Sequence, residues 1–173
     1  MKAYWAGILV LAVMTGAAGA DPLAQARAGA LQCYKPDQAK KTCLALAGYV
    51  FRDDGSITNN ADTLLSPQPL LTMRTSSIVT IKNDAVCGVM RQEDIERADL
   101  LLNGKPLPAD QAASVRAQII PMLEKQFGVE ICTSYAGSGD MVTANVTVNG
   151  KPEPGYTQNV LWVKPGAGYH VAP

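Results

Sequence analysis

The sequence predicts an α+β domain: mainly antiparallel sheet, formed by N-terminal hairpins and a C-terminal three-stranded meander, covered by one amphipathic helix kinked near Pro121 and held by disulfides. Three observations carry this. Alternating apolar and polar residues recur in short runs separated by Asp-Gly, Asn-Asp and Asn-Gly steps, which is hairpin patterning. One segment alone, Pro108 to Phe127, repeats its apolar residues at helical spacing. Four cysteines, an even number, follow a stretch with the features of an export signal.

The signal comes first. Lys2 supplies a positive start, Ala3 to Met14 is almost wholly apolar, and Ala18-Gly19-Ala20 offers the small residues that precede cleavage. Residues 1–20 are therefore expected to be removed before Asp21, and the apolar run is shorter than the roughly 20 residues of a membrane span. No stable membrane anchor is expected after cleavage, and the location is read as periplasmic or secreted. Of 173 residues, 153 then remain, enough for a single α+β domain over residues 21–173. Residues 21–32 are alanine-rich and read as a loose lead-in.

The elements follow in order. Pro36 to Thr42 suits a helical turn. Leu44 to Phe51 reads as a strand, Asp53-Asp54-Gly55 as its turn, and Ser56 to Leu65 as the returning partner. Pro67 and Pro69 interrupt the pattern. Leu70 to Ile81 alternates, Asn83-Asp84 turns the chain, and Ala85 to Met90 completes a second hairpin. Arg91 to Ala98 is charged around Ile95 and suits a short surface helix.

The long helix is marked by Ala112, Val115, Ile119, Leu123 and Phe127 on one stripe. Pro108 and Asp110 suit its start and Gly128 its end. Pro121 removes one helical hydrogen bond and crowds the preceding turn, so a kink or two abutting helices are expected. Three strands remain: Val129 to Tyr135, Met141 to Val148 and Thr157 to Val163. Val142, Ala144, Val146 and Val148 alternate with Thr143, Asn145, Thr147 and Asn149, so one face is expected buried under the helix.

A partial repeat links two regions. The eleven residues from Ala98 to Pro108 match Ala144 to Pro154 at six positions, including Asn-Gly-Lys-Pro in both. Proline after an Asn-Gly turn arises readily on its own, so the match is read as a shared local turn.

Cys33, Cys43, Cys87 and Cys132 allow three pairings. Turn-forming residues between the first two favour Cys33 with Cys43, leaving Cys87 with Cys132. No two cysteines are closer than ten residues, which argues against a Cys-x-x-Cys redox site and against close zinc-ligand pairs. Their expected role is structural.

Charge is balanced and forms no basic run, so no nucleic-acid partner is expected. The single histidine, His170, lies in a terminal segment where it reads as solvated. No nucleophile elbow or Ser-x-x-Lys arrangement exists, and Gly137-Ser138-Gly139 reads as a loop. Asp53, Asp54, Asn59, Asn60 and Asp62 are the richest oxygen cluster, but without calcium-loop spacing. Trp162 reads as core. No catalytic residue, metal or cofactor is assigned. The expected function is that of a small exported non-catalytic protein binding a protein or small-molecule ligand. A carboxylate-based hydrolase and a thiol redox protein stand behind it.

Overall fold

Between residues 45 and 89 each strand returns antiparallel on the one before it, and the same continues through the C-terminal third. The computed structural model describes residues 21–173; the expected signal, residues 1–20, lies outside the described residues. In chain order the strands are β1 (Leu31–Tyr34), β2 (Thr42–Cys43), β3 (Ala45–Phe51), β4 (Ile57–Ser66), β5 (Leu71–Lys82), β6 (Ala85–Val89), β7 (Asp99–Leu102) and β8 (Lys105–Pro106). They continue as β9 (Glu130–Ala136), β10 (Met141–Val148), β11 (Lys151–Pro152), β12 (Gln158–Val163) and β13 (His170–Val171). Among the described residues three α-helices accompany them: α1 (Ala24–Arg27), α2 (Gln92–Glu96) and α3 (Ala109–Leu123).

The expected open sheet under one helix is wrong. Strands β1, β3, β4, β5, β6, β9, β10 and β12 pair in that order, and β12 pairs back onto β1, giving a closed antiparallel barrel of eight strands. The closing contact runs from Leu31↔Val163 to Tyr34↔Val160. Strands β7, β8 and β11 are additions outside the ring, and β13 pairs with β2 in a small parallel sheet. A sheet that curls onto itself buries its apolar face without a covering layer. Period-two alternation does not distinguish that solution from an open sheet with a lid.

The helix stripe is used elsewhere. Ala112 and Ile119 are buried with Met73, Ile95, Ala98 and Leu100, while Val115, Leu123 and Phe127 pack at the margin. This second core sits where the extended start of β5 leaves the barrel and pairs with β7 through Leu71↔Leu102 to Arg74↔Asp99. Pro121 does not end α3, which runs on to Leu123 and passes directly into a 3-10 turn over Glu124–Gln126. The break expected at Pro121 is not seen; the helix passes through it and changes to a 3-10 turn only after Leu123.

One end of the barrel is filled by the stretch that the sequence marks only as a lead-in. Leu23 is wholly buried and Ala26 nearly so, in a cluster with Ile57, Val86, Val142, Ala144, Val160 and Trp162. Gln25 Nε2 donates to the Gly139 carbonyl at 3.0 Å, tying α1 to the β9–β10 turn. The Arg27 guanidinium lies 4.1 Å from the centre of the Phe51 ring and pairs with Asp21 at 2.7 Å.

The turns explain themselves. Asn83 and Asp84 both adopt positive φ, 48° and 60°, as a two-residue turn between β5 and β6 requires. Both copies of the repeated segment fold alike: Asn103-Gly104 joins β7 to β8 and Asn149-Gly150 joins β10 to β11, with Lys-Pro as the returning pair each time.

Disulfides join Cys33 to Cys43 and Cys87 to Cys132. Cys87 and Cys132 are register partners on β6 and β9. No helix among the described residues is long and apolar enough to cross a membrane.

Two outcomes test this architecture. Trp162 is 6% exposed, so Trp162→Ala should cost about 3–5 kcal/mol, measured by urea unfolding followed by far-ultraviolet circular dichroism. Replacing Cys87 and Cys132 together with serine should cost about 2–4 kcal/mol, read from the same transition.

Candidate binding site in the barrel lumen

Alternation assigns every barrel residue to the lumen or to the outside. Val160 and Trp162 on β12 share the inner face with Gln32 and Tyr34 on β1, and Tyr135 on β9 opposes Ala144 on β10. Outside, Asn60, Arg74, Ser76, Thr80, Lys82, Ser134 and Asn145 are exposed. The outer wall is thus mixed, with Val50, Ile78 and Met141 exposed among these polar residues.

The lumen divides into two levels. At the α1 end it is filled by aliphatic side chains and Trp162, whose ring meets Tyr135 edge-on at 6.1 Å. Towards the opposite end a cavity of about 200 Å³ remains, lined by Tyr34, Tyr49, Asn59, Ser77, Thr133 and Tyr135 together with Val79, Val86, Gly88, Val89, Met90 and Ile131. Gly88 leaves the wall low there, since a Cβ on it would lie 3.2 Å from Val79 Cγ1.

Gln32 organises the polar wall. It is wholly buried, and its Oε1 accepts hydrogen bonds from the hydroxyls of Tyr34 at 2.9 Å and Tyr49 at 2.8 Å. The Tyr34 and Tyr135 hydroxyls lie 3.3 Å apart. Gln32 Nε2 has no hydrogen-bond partner among the described residues, a cost of about 1–3 kcal/mol for a buried polar group. Ser77 Oγ reaches Asp94 Oδ2 on α2 at 3.5 Å, and Asn59 Nδ2 donates to the Gly48 carbonyl at 3.4 Å.

Burial pushes the phenols of Tyr34 and Tyr49 well above their ordinary value of 10.0, and Tyr135 pushes both further in the same direction. Two phenolates so close together would repel in a medium that solvates neither well. The hydroxyls stay protonated through the neutral and mildly alkaline range.

The residues singled out from sequence fall elsewhere. The four cysteines are in disulfides and none of them lines the lumen cavity. The oxygen cluster is dispersed by the strands: Asp53 and Asp54 sit at the β3–β4 turn, Asn59 faces the lumen, and Asn60 and Asp62 belong to the outer wall. Asp62 is bonded to Arg74, its register partner, at 2.7 Å. Hydrogen bonds from Ser56 hold Asp54 below the usual carboxylate range. Among the described residues no group of three or more His, Cys, Asp or Glu is placed to hold a metal ion. His170 is exposed, yet its main chain is pinned through His170 N to the Lys41 carbonyl at 3.1 Å.

Gln32 and the three tyrosines escape the sequence reading. The available signal was a glutamine alternating with Tyr34 beside an apolar strand pattern, a polar side chain on what becomes an inner face.

No family model matches this chain, and no curated protein or solved structure matches it.

The raised phenols give a pH test. Between the unfolded value near 10 and the higher folded values, the folded state holds more protons than the unfolded one, so stability is complete below about pH 10 and falls as pH rises beyond it. Urea midpoints across this range should decline in the parent and decline less in a Tyr34→Phe/Tyr49→Phe variant.

Proposed function

We propose that this chain is an exported, non-catalytic binding protein, working in the periplasm or outside the cell, whose barrel lumen takes one small molecule. The observation that carries the reading is the cavity itself: a closed barrel filled at one end by α1 and left with a space of about 200 Å³ towards the other, walled by convergent hydroxyls and aliphatic groups. Small eight-stranded barrels either fill with side chains or hold one small ligand, and mixed apolar and polar walls are typical of ligand sites. Two disulfides suit an oxidising, extracytoplasmic compartment. The lining favours recognition over reaction, because its tyrosines are pushed away from phenolate.

Native mass spectrometry tests this on protein purified without reductant from its own compartment. The parent should carry a non-covalent adduct that disappears on denaturation. Thr133→Phe, which fills the cavity from β9, should fold with the parent's circular dichroism and lack the adduct. An adduct retained in that variant would place the ligand outside the lumen and overturn the proposal.

A further inference from the structure

A hydroxyl has one proton, and where that proton goes fixes what the oxygen can offer to anything else. Gln32 Oε1 can only accept, so the Tyr34 and Tyr49 protons are both directed to it. With its own proton placed, Tyr34 can only accept at its contact with Tyr135. The bonds therefore run from Tyr135 to Tyr34 to Gln32, with Tyr49 meeting Gln32 from the other side. All three phenolic protons are used within the wall.

The remaining groups lean the same way. The Ser77 proton is directed to Asp94, and Asn59 spends one of its N–H groups on Gly48, which leaves its carbonyl oxygen free. Among the lining residues, Thr133 and the second N–H of Asn59 are the free donors of a surface otherwise rich in lone pairs; the unpartnered Gln32 Nε2 is buried behind the tyrosines and does not line the cavity. No charged side chain lines the cavity, so an ion would enter without a counter-charge at considerable cost. Val79, Val86, Val89, Met90 and Ile131 ask for an apolar body. A cavity of about 150 Å³ accommodates benzene, and the space here is about 200 Å³.

We infer that the lumen selects small uncharged hydrogen-bond donors, alcohols or primary amides on a single-ring apolar body, over acceptor-only molecules of the same shape. This rests on the lumen-binding reading above and gives its ligand a chemical class.

The test uses two shape-matched pairs, 1-phenylethanol with acetophenone and benzamide with methyl benzoate, titrated into the disulfide-intact protein while the methyl resonances of Val79, Val86 and Ile131 are followed. The alcohol and the amide should bind about tenfold tighter than their partners, the worth of roughly one hydrogen bond. Equal or reversed preference would overturn the inference while leaving lumen binding intact. That result would follow if the Gln32 amide were turned over, freeing the tyrosine protons for the cavity. Lumen methyls unmoved by all of the fragments would count against the lumen reading itself.

Gln32→Met removes the acceptor that the tyrosines share and should narrow or reverse the preference. Should that variant fail to fold, Tyr49→Phe removes one lumen acceptor and should weaken the alcohol more than the ketone. A preference unchanged in the folded variant would show that the tyrosine chain does not set it, and would overturn the inference.

Discussion

The pairing of β1 with β12 is the contact on which the rest of the structure depends. Four residues of β1 pair with β12 on one side and three of them with β3 on the other, turning an eight-strand meander into a ring. Its two faces then do different work. Cys33 faces away from the lumen, where its disulfide to Cys43 anchors β1 to the neighbouring β2. Gln32 and Tyr34 face inward and build the polar wall. Within the ring every strand has a neighbour on both sides, so the eight barrel strands leave no open seam between them. Loss of this one short strand would expose Val160 and Trp162 on β12 and dismantle the site at the same time.

Strand order explains why so short a strand can close the barrel. The other ring neighbours keep their order in sequence, and most pair between nearby segments; β6 and β9, 45 residues apart at Cys87 and Cys132, are held by a disulfide. Only β1 and β12 must meet from opposite ends of the chain. Around that seam, Val163 is buried with Cys33 and Cys43, and Leu31, Leu46, Leu161 and Tyr169 pack against them. The C-terminal segment adds backbone bonds from His170 to Lys41 and from Ala172 to Cys43. The seam is thus covered outside by apolar packing and a staple, and inside by a hydrogen-bonded glutamine.

Much of the local structure was legible in the sequence. Alternation in Met141–Val148, the Asn83-Asp84 and Asn149-Gly150 turns, and the helical stripe from Ala112 to Ile119 each encode an element through nearest-neighbour physics. Closure was not legible, because it depends on whether residues about 130 positions apart share register, and periodicity carries no such information. The helix was misplaced for a related reason. Its stripe signals that a surface must be covered, and Met73, Leu100 and Ile95 supplied that surface away from the barrel. The site was hidden more deeply still. Tyr34, Tyr49 and Tyr135 are scattered in sequence, and only the curl of the sheet brings their hydroxyls together.

The two levels of the lumen bring these points together. Near α1 the inner residues are Ile57, Val86, Val142 and Trp162, and Leu23 fills the remaining space, so water is excluded and packing stabilises the ring. One level up, tyrosine and glutamine replace aliphatic residues at positions of the same parity, and packing gives way to hydrogen bonding. A barrel selected for stability alone would continue the aliphatic layers, since a buried amide with an unpartnered Nε2 is costly and a hydrocarbon of similar volume is not. The polar layer is set between the packed floor and the cavity, where its hydroxyl oxygens border the open space. The packing is left to the layer beneath and to the disulfides outside, and the tyrosine wall is held by hydrogen bonds.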